Sequence, residues 1–264
     1  MIIVRRIGRW AAAVGLLTTV LAIGGQAAAD GRSTKAQAAQ DAPQQGVWFG
    51  GVDVVTGATY TFDGVIVAFN RDISKDGWAL RAYGSRVDFD QDPGDGRGWQ
   101  GDLMLGYLFN RGAFSGGVYL GADYQNYKLS PDDPTTSVRG TEWGFKVAGD
   151  VATSDDRPLY FALAGSYSTA FDSYWSRVRV GHNRNHVIYG IEGSAFGNED
   201  FDAQRLGAFL TFQVPLRPST PLEVTLAAGH QFANDSKSGS TTSTSTSTGG
   251  GEGTYGSVVF SMPF

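Results

Sequence analysis

Between Gly46 and Phe264, apolar side chains recur at every second position in one segment after another, and a period of two belongs to strands rather than helices. The last segment, Thr254 to Phe264, shows it plainly. Val258, Phe260, Met262 and Phe264 share one face, and Ser257, Val259, Ser261 and Pro263 share the other. A closing strand with a terminal aromatic suits a bacterial outer-membrane barrel, whose last strand must seal the sheet and offer lipid an apolar side. A soluble domain can also end on a strand, so the rest of the chain has to decide.

Twelve such segments can be read. The first two are Gly46 to Val54 and Tyr60 to Asn70, the latter with Val65, Val67 and Phe69 on one side. In Gly77 to Phe89, Trp78, Leu80 and Ala82 oppose Arg81, Tyr83 and Ser85. The fourth sets Trp99, Gly101, Leu103, Leu105, Tyr107 and Phe109 against Gln100, Asp102, Met104, Gly106 and Leu108. Gly116 to Leu129 sets Val118, Leu120, Ala122 and Tyr124 against Tyr119, Asp123 and Gln125. Val138 to Ala152 sets Trp143, Phe145 and Val147 against Glu142, Lys146 and Asp150. Leu159 to Phe171 sets Phe161, Leu163 and Tyr167 against Tyr160, Ala164, Ser166 and Ser168. Trp175 to Arg184 puts Val178 and Val180 opposite Arg177 and Arg179. Val187 to Gly197, Ala203 to Pro215 and Leu222 to Asn234 precede the terminal segment.

An even number of strands is what a closed antiparallel barrel of this kind uses. The connections after even strands are short: Arg71 to Asp76, Asn110 to Phe114, Thr153 to Pro158, Asn183 to His186 and Leu216 to Pro221. Those after strands three, five and eleven are longer or more polar: Asp90 to Gly98, Ser130 to Ser137 and Asp235 to Gly253. The connections after strands one, seven and nine are short, so the asymmetry is partial. It matches periplasmic turns on one side and exterior loops on the other. A soluble sandwich or barrel also alternates, with its polar face toward water. Here the polar face mixes charges and Tyr with many Gly, Ala and Ser, which suits a crowded lumen better than a solvated surface. Segments of ten to fourteen residues also match the ~9–11 of a tilted membrane strand better than the ~5–6 typical of soluble sheets. The expected fold is an all-β, closed antiparallel transmembrane β-barrel of about twelve strands over residues 46–264.

The N-terminus supplies an export route. Arg5, Arg6 and Arg9 form a basic region, Trp10 to Ile23 is nearly uncharged and apolar, and Ala27 to Ala29 provides small residues for cleavage before Asp30. The apolar run is shorter than the ~20 residues of a spanning helix. Residues 1–29 therefore read as a signal peptide and 30–45 as a flexible periplasmic leader. Without the three signal arginines the mature chain carries 18 basic against 26 acidic residues, which argues against a nucleic-acid partner. The absence of Cys excludes a disulfide scaffold and a thiolate metal site. Thirty-seven Gly and 33 aromatic residues suit tight strands and interfacial girdles.

The alternation turns Arg81, Asp102, Asp123, Glu142, Lys146, Asp150, Arg177, Arg179, Arg205 and Glu223 inward. With signs mixed, they can brace adjacent strands as ion pairs. Alternatively they line a polar path for an uncharged hydrophilic ligand, with Tyr83, Tyr119 and Tyr160 offering faces on which sugar rings could stack. Catalytic groupings are thin. His182 and His186 fall near a periplasmic turn, and His230 with Asp235 or Ser236 is the one combination an outer-membrane hydrolase could use. Ser130 to Pro134 could coordinate Ca²⁺, but as a Pro-bracketed turn it needs no metal. Ser236 to Gly251 is low-complexity and reads as a mobile loop. No catalytic residue, metal site or cofactor is expected.

Several phrases go beyond architecture: Ala68 to Ser85 (AFNRDISKDGWALRAYGS), Gly96 to Tyr107 (GRGWQGDLMLGY), Ala122 to Leu129 (ADYQNYKL) and Gly140 to Ala148 (GTEWGFKVA). They resemble the cellulose biosynthesis protein family BcsS, exported proteins associated with cellulose synthesis in alphaproteobacteria. The likeness extends over nearly the whole mature chain and carries no catalytic residues with it. It implies a non-enzymatic outer-membrane component in contact with lipid, accompanying the production or export of cellulose (β-1,4-glucan) together with other secretion components. A general small-solute porin and an outer-membrane hydrolase are the alternatives.

Overall fold

The computed structural model describes residues 43–91, 94–154, 157–184, 187–217, 220–235 and 250–264. They form one closed antiparallel barrel of twelve strands: β1 (Gly46–Val55), β2 (Ala58–Ala68), β3 (Gly77–Gln91), β4 (Gly94–Asn110), β5 (Phe114–Ser130), β6 (Gly140–Thr153), β7 (Leu159–Ser168), β8 (Tyr174–Arg184), β9 (Val187–Gly197), β10 (Phe201–Arg217), β11 (Thr220–Asp235) and β12 (Gly253–Pro263). Each strand pairs with its sequence neighbours, and β1 closes the ring against β12, with Val47 opposite Pro263 and Val55 opposite Tyr255. The N–H groups of Gln45 and Gly46 both donate to the Phe264 carbonyl, which ties the two ends of the barrel chain together. The signal peptide expected at 1–29 and most of the leader expected at 30–45 lie outside the described residues.

Period-two alternation decides which way the wall faces. Leu103, Phe145 and Val178 are 57, 53 and 39 % exposed, whereas their neighbours Met104, Lys146 and Arg179 are 1, 4 and 1 % exposed. The apolar side chains point outward and the polar ones inward, the reverse of a sheet in water. An outer belt that also includes Leu105, Leu120, Leu163, Ile191 and Leu210 is far too extensive for a water-soluble surface and marks a transmembrane barrel. Aromatic rings edge the belt. Trp48, Phe69, Trp78 and Tyr107 stand toward the end that holds the termini, with Trp78 edge-on to Tyr107 at 5.7 Å, and Trp99, Trp143, Tyr167 and Phe232 stand toward the opposite end.

Three of the departures of the observed elements from the sequence-based bounds have a clear physical reason. The loop expected over Asp90 to Gly98 is mostly ladder, because Phe89 pairs with Gly96, Asp90 with Asp95 and Gln91 with Gly94. Its glycines and charges hide the alternation, while the Arg97–Asp88 ion pair at 2.8 Å braces the extension. The seventh strand stops at Ser168 instead of reaching Phe171. Ala170–Asp172 forms a short 3₁₀ turn with Phe171 at φ 51°, and the Phe171 ring is buried edge-on to Tyr127 at 5.5 Å. The first hairpin is also tighter than expected, with Thr56 and Gly57 alone between strands and Gly57 at φ 77°.

The interior is not purely polar, as the sequence had suggested. Val47, Phe49, Ile66, Ala68, Ala79, Met104, Leu108 and Tyr119 form a buried apolar cluster inside β1–β5, near the termini. Ile73, from the turn between β2 and β3, inserts beneath it, and its N–H donates to the Gln44 carbonyl. Gly64 makes room for this packing, since a Cβ there would stand 2.5 Å from the Phe49 ring. Filling the space with both apolar and paired polar groups is one way a small barrel closes its lumen.

Candidate functional site

The barrel interior is where the chain's chemistry converges. On β3–β6, Asp102 sits between two cations: Arg81 Nη1 reaches its Oδ1 at 2.9 Å, and Lys146 Nζ reaches its Oδ2 at 2.8 Å. Lys146 also lies 3.5 Å from Asp123 Oδ1, so one ammonium bridges two carboxylates. Gln125 donates to Asp123 at 2.8 Å and to Ser173 Oγ at 2.6 Å, linking this network to the turn after β7. Arg81 stands 5.1 Å from the Tyr83 ring and 5.9 Å from the Tyr119 ring, and Lys146 is 5.5 Å from Tyr83. The Tyr83 hydroxyl is hydrogen-bonded to that of Tyr60.

A second network crosses the other side of the lumen. Arg179 Nε donates to Glu192 Oε2 at 2.8 Å, and the Tyr255 hydroxyl donates to Glu192 Oε1 at 2.8 Å, joining β8, β9 and β12. Arg205 reaches Asp53 at 2.6 Å and Gln231 at 2.7 Å, joining β10 to β1 and β11. Its guanidinium lies 4.8 Å from both the Phe196 and Tyr255 rings. Gln231 continues to the carbonyls of Gly250 and Gly251, at 3.3 and 3.1 Å. A buried charge is tolerated only when such partners replace its water.

The ten residues singled out from sequence divide by environment. Arg81, Asp102, Tyr119, Asp123, Lys146, Tyr160 and Arg179 are buried, and Tyr83, Glu142 and Arg177 are half-buried. Arg81, Asp102, Asp123, Lys146 and Tyr83 come together in the first network, with Tyr119 packed against Arg81. Arg179 belongs to the second, where it also lies 4.9 Å from the Phe209 ring, which in turn packs 5.9 Å from Tyr160. Glu142 shares the inward side of β6 with Lys146, and Arg177 lies over Trp175 at 5.3 Å. Asp53, Glu192, Gln231 and Tyr255 were not foreseen. Asp53 and Tyr255 meet partners 152 and 63 residues away, while Glu192 and Gln231 meet Arg179 and Arg205 on the adjoining hairpin strand through a register that alternation does not specify.

The other candidates lie elsewhere. His182 packs beside Tyr189 at 6.0 Å, and His186 lies outside the described residues. His230 is on the outward side of β11, 4.6 Å from Phe232 and 3.6 Å from Glu252, while Ser236 lies outside the described residues. Hydrogen bonds from Thr135 hold the Asp133 carboxyl below the usual carboxylate range, so this loop's own residues use that group. Among the described residues, no group of three or more His, Cys, Asp or Glu could hold a metal ion. At the end away from the termini, neighbouring connections are hydrogen-bonded to one another: Glu199 N–H donates to the Phe171 carbonyl, and Val138 N–H donates to Asp200 Oδ2 at 2.7 Å.

With this geometry in view, a family model described as cellulose biosynthesis protein BcsS matches residues 47–264, from the second residue of β1 to the end of the chain. The chain belongs to the BcsS family. The match covers every strand of the BcsS barrel, including both interior networks. No curated protein matches the sequence. Among solved structures, the BcsS barrel is similar to CdiB from Acinetobacter baumannii, with a TM-score of 0.38 and 9 % identity over 85 % of this chain and 61 % of that one. It is also similar to a TodX deltaS2S3 mutant monoaromatic hydrocarbon channel, with a TM-score of 0.35 and 10 % identity over 84 % of this chain and 91 % of that one. This chain thus spans less than two thirds of the CdiB chain, and likenesses so distant say nothing about activity.

Proposed function

We propose that this BcsS-family protein is an outer-membrane scaffold that accompanies cellulose production or export and catalyses no reaction itself. The export signal at 1–29 and the leader at 30–45 belong to the same reading, as do contacts with a β-1,4-glucan chain and with other cellulose-secretion components. Family membership and the outward apolar belt support the compartment and the process.

The burial of the interior charges carries the choice of scaffold over conduit. In an open pore, lumenal charges stand in water and set selectivity. Here Asp123 and Arg179 are at most 1 % exposed, and both are tied to partners on neighbouring strands. A packed interior favours a rigid platform whose outer loops and termini-side turns meet the glucan or its machinery. It weighs against the porin alternative. The purified protein in a planar bilayer should give no steady ionic current, whereas a stable open level in wild-type protein would restore the porin reading. Deleting the gene should reduce the cellulose that cells retain or change its fibril form. Unchanged yield, location and fibril form would remove the link to cellulose.

A further inference from the structure

Among the described residues, the ladder between β6 and β7 is the shortest in the ring. It runs only from Lys146 opposite Ser168 to Ala152 opposite Ala162, so Gly140 to Phe145 of β6 pair with β5 alone. Where β7 would continue, the chain turns inward and Thr169 takes the place of a strand. Its N–H donates to the Phe145 carbonyl at 3.0 Å, and the Phe145 N–H donates to Thr169 Oγ1 at 2.9 Å. Ala170 then nests against the inward side of β6, where a Cβ on Gly144 would stand 2.4 Å from its nitrogen. The Phe171 ring packs on Tyr127, and Gln125 Nε2 donates to Ser173 Oγ at 2.6 Å. Ser168, whose Oγ accepts from the Ala170 N–H at 3.1 Å, is 1 % exposed.

This turn is held against the preference of its own backbone. Phe171 and Asp172 sit at φ 51° and 47°, a left-handed pair in which neither residue is glycine. A Cβ makes that region unfavourable, and an aromatic residue stays there only while its surroundings hold it. Asp172 also adds its charge to a crowded acidic seam. Desolvation, and then the charges of Glu142, Asp172 and Asp200, raise the Glu199 carboxyl above its ordinary range. What opposes release is the buried Phe171 ring, the Gln125 and Thr169 bonds, and the Glu199 N–H donated to the Phe171 carbonyl at 3.1 Å.

We infer that the β7–β8 turn is a hinged cover. Residues 169–173 swing away from β6, lift Phe171 off Tyr127 and uncover a recess lined by Tyr127, Gln125 and Ser168. Such local opening breaks only the few contacts named above and leaves the ladders on either side intact. The apolar packing near the termini is untouched, so opening makes a recess and not a through channel.

Thiol labelling reads the movement, because the chain has no Cys. Ser168→Cys and Ser261→Cys replace serines that are 1 and 2 % exposed, the first under the turn and the second in the interior near the termini. The full mature chain in detergent, with folding checked by far-UV circular dichroism, is treated with a polar maleimide. Position 168 should react at least about tenfold faster than position 261, since local opening reaches only the first. Adding Phe171→Ala removes the buried ring and should speed labelling at 168 by about tenfold. Adding Asp172→Asn keeps an acceptor for the Tyr167 hydroxyl, tolerates the left-handed backbone and removes the charge, so it should slow labelling at 168 about threefold. Labelling at 261 should stay slow in every background. Equally slow reaction at 168 and 261 overturns the cover, as does a rate at 168 that neither added substitution changes. A rate at 261 that rises together with that at 168 also overturns it, because the whole barrel is then unfolding. None of these outcomes depends on cellulose, so the proposed function stands or falls separately.

Discussion

Replacing Asp102 with leucine should destabilise the barrel by about 3–5 kcal/mol, the usual penalty for breaking a buried ion pair and stranding its partner. Asp102 receives both Arg81 and Lys146, on strands either side of it, and its carboxyl is fully enclosed. The change leaves two cations in a packed interior with Asp123, at 3.5 Å from Lys146, as the remaining acid beside them. Guanidinium unfolding of the reconstituted protein, followed by tryptophan fluorescence, measures the loss as a lower midpoint. Converting all four charged groups together (Asp102→Leu, Arg81→Met, Lys146→Met and Asp123→Asn) should recover most of it, because neutral residues of similar volume can replace a buried charge network whereas Asp123 left alone would be stranded. A single Asp102→Leu variant as stable as wild type would mean that water, not the opposite charge, solvates these groups.

Leu103→Arg should cost about 2–4 kcal/mol, because it puts a guanidinium on the lipid side of the wall near mid-belt, where barrel substitutions are most damaging. Thr254→Arg, outward near the strand start away from the termini, should cost only about 0–1 kcal/mol in the same assay. The contrast in depth is the informative quantity. On the outside of a water-soluble barrel, both would fall within about 0.5 kcal/mol. Leu103 is 57 % exposed, so neither result can be ascribed to disturbing a packed protein core.

The wall was legible from sequence because one face must satisfy lipid at every second residue, and that demand writes itself into each strand independently. Leu103, Leu105 and Tyr107 reveal their face without knowledge of any other strand. The interior is different. Asp102 and Lys146 could be placed on the inward side by parity, but their mutual contact depends on register across β4–β6, which alternation does not specify. Arg205 and Asp53 are further apart still, 152 residues in sequence, and meet only because β1 closes on β12. Apolar plugging by Phe49 and Ile66 was missed for a related reason. In a strand with apolar residues on both faces, such as Gly46–Val55, the pattern is too weak to announce that the lumen side is greasy as well. Phe171 was read as strand because its neighbours alternate, yet its ring is worth more buried against Tyr127 than spread on the wall.

The direction of the apolar face can be measured directly, because the chain contains no Cys and single reporters can be introduced cleanly. Fluorophores attached at Leu103→Cys, Phe145→Cys and Val178→Cys, with one at the exposed loop position Thr135→Cys, are compared in liposomes whose acyl chains carry bromine. The account predicts strong quenching by the brominated chains at 103, 145 and 178, and quenching by aqueous iodide alone at 135. Iodide quenching at all four positions, with no effect of the brominated lipid, would contradict it.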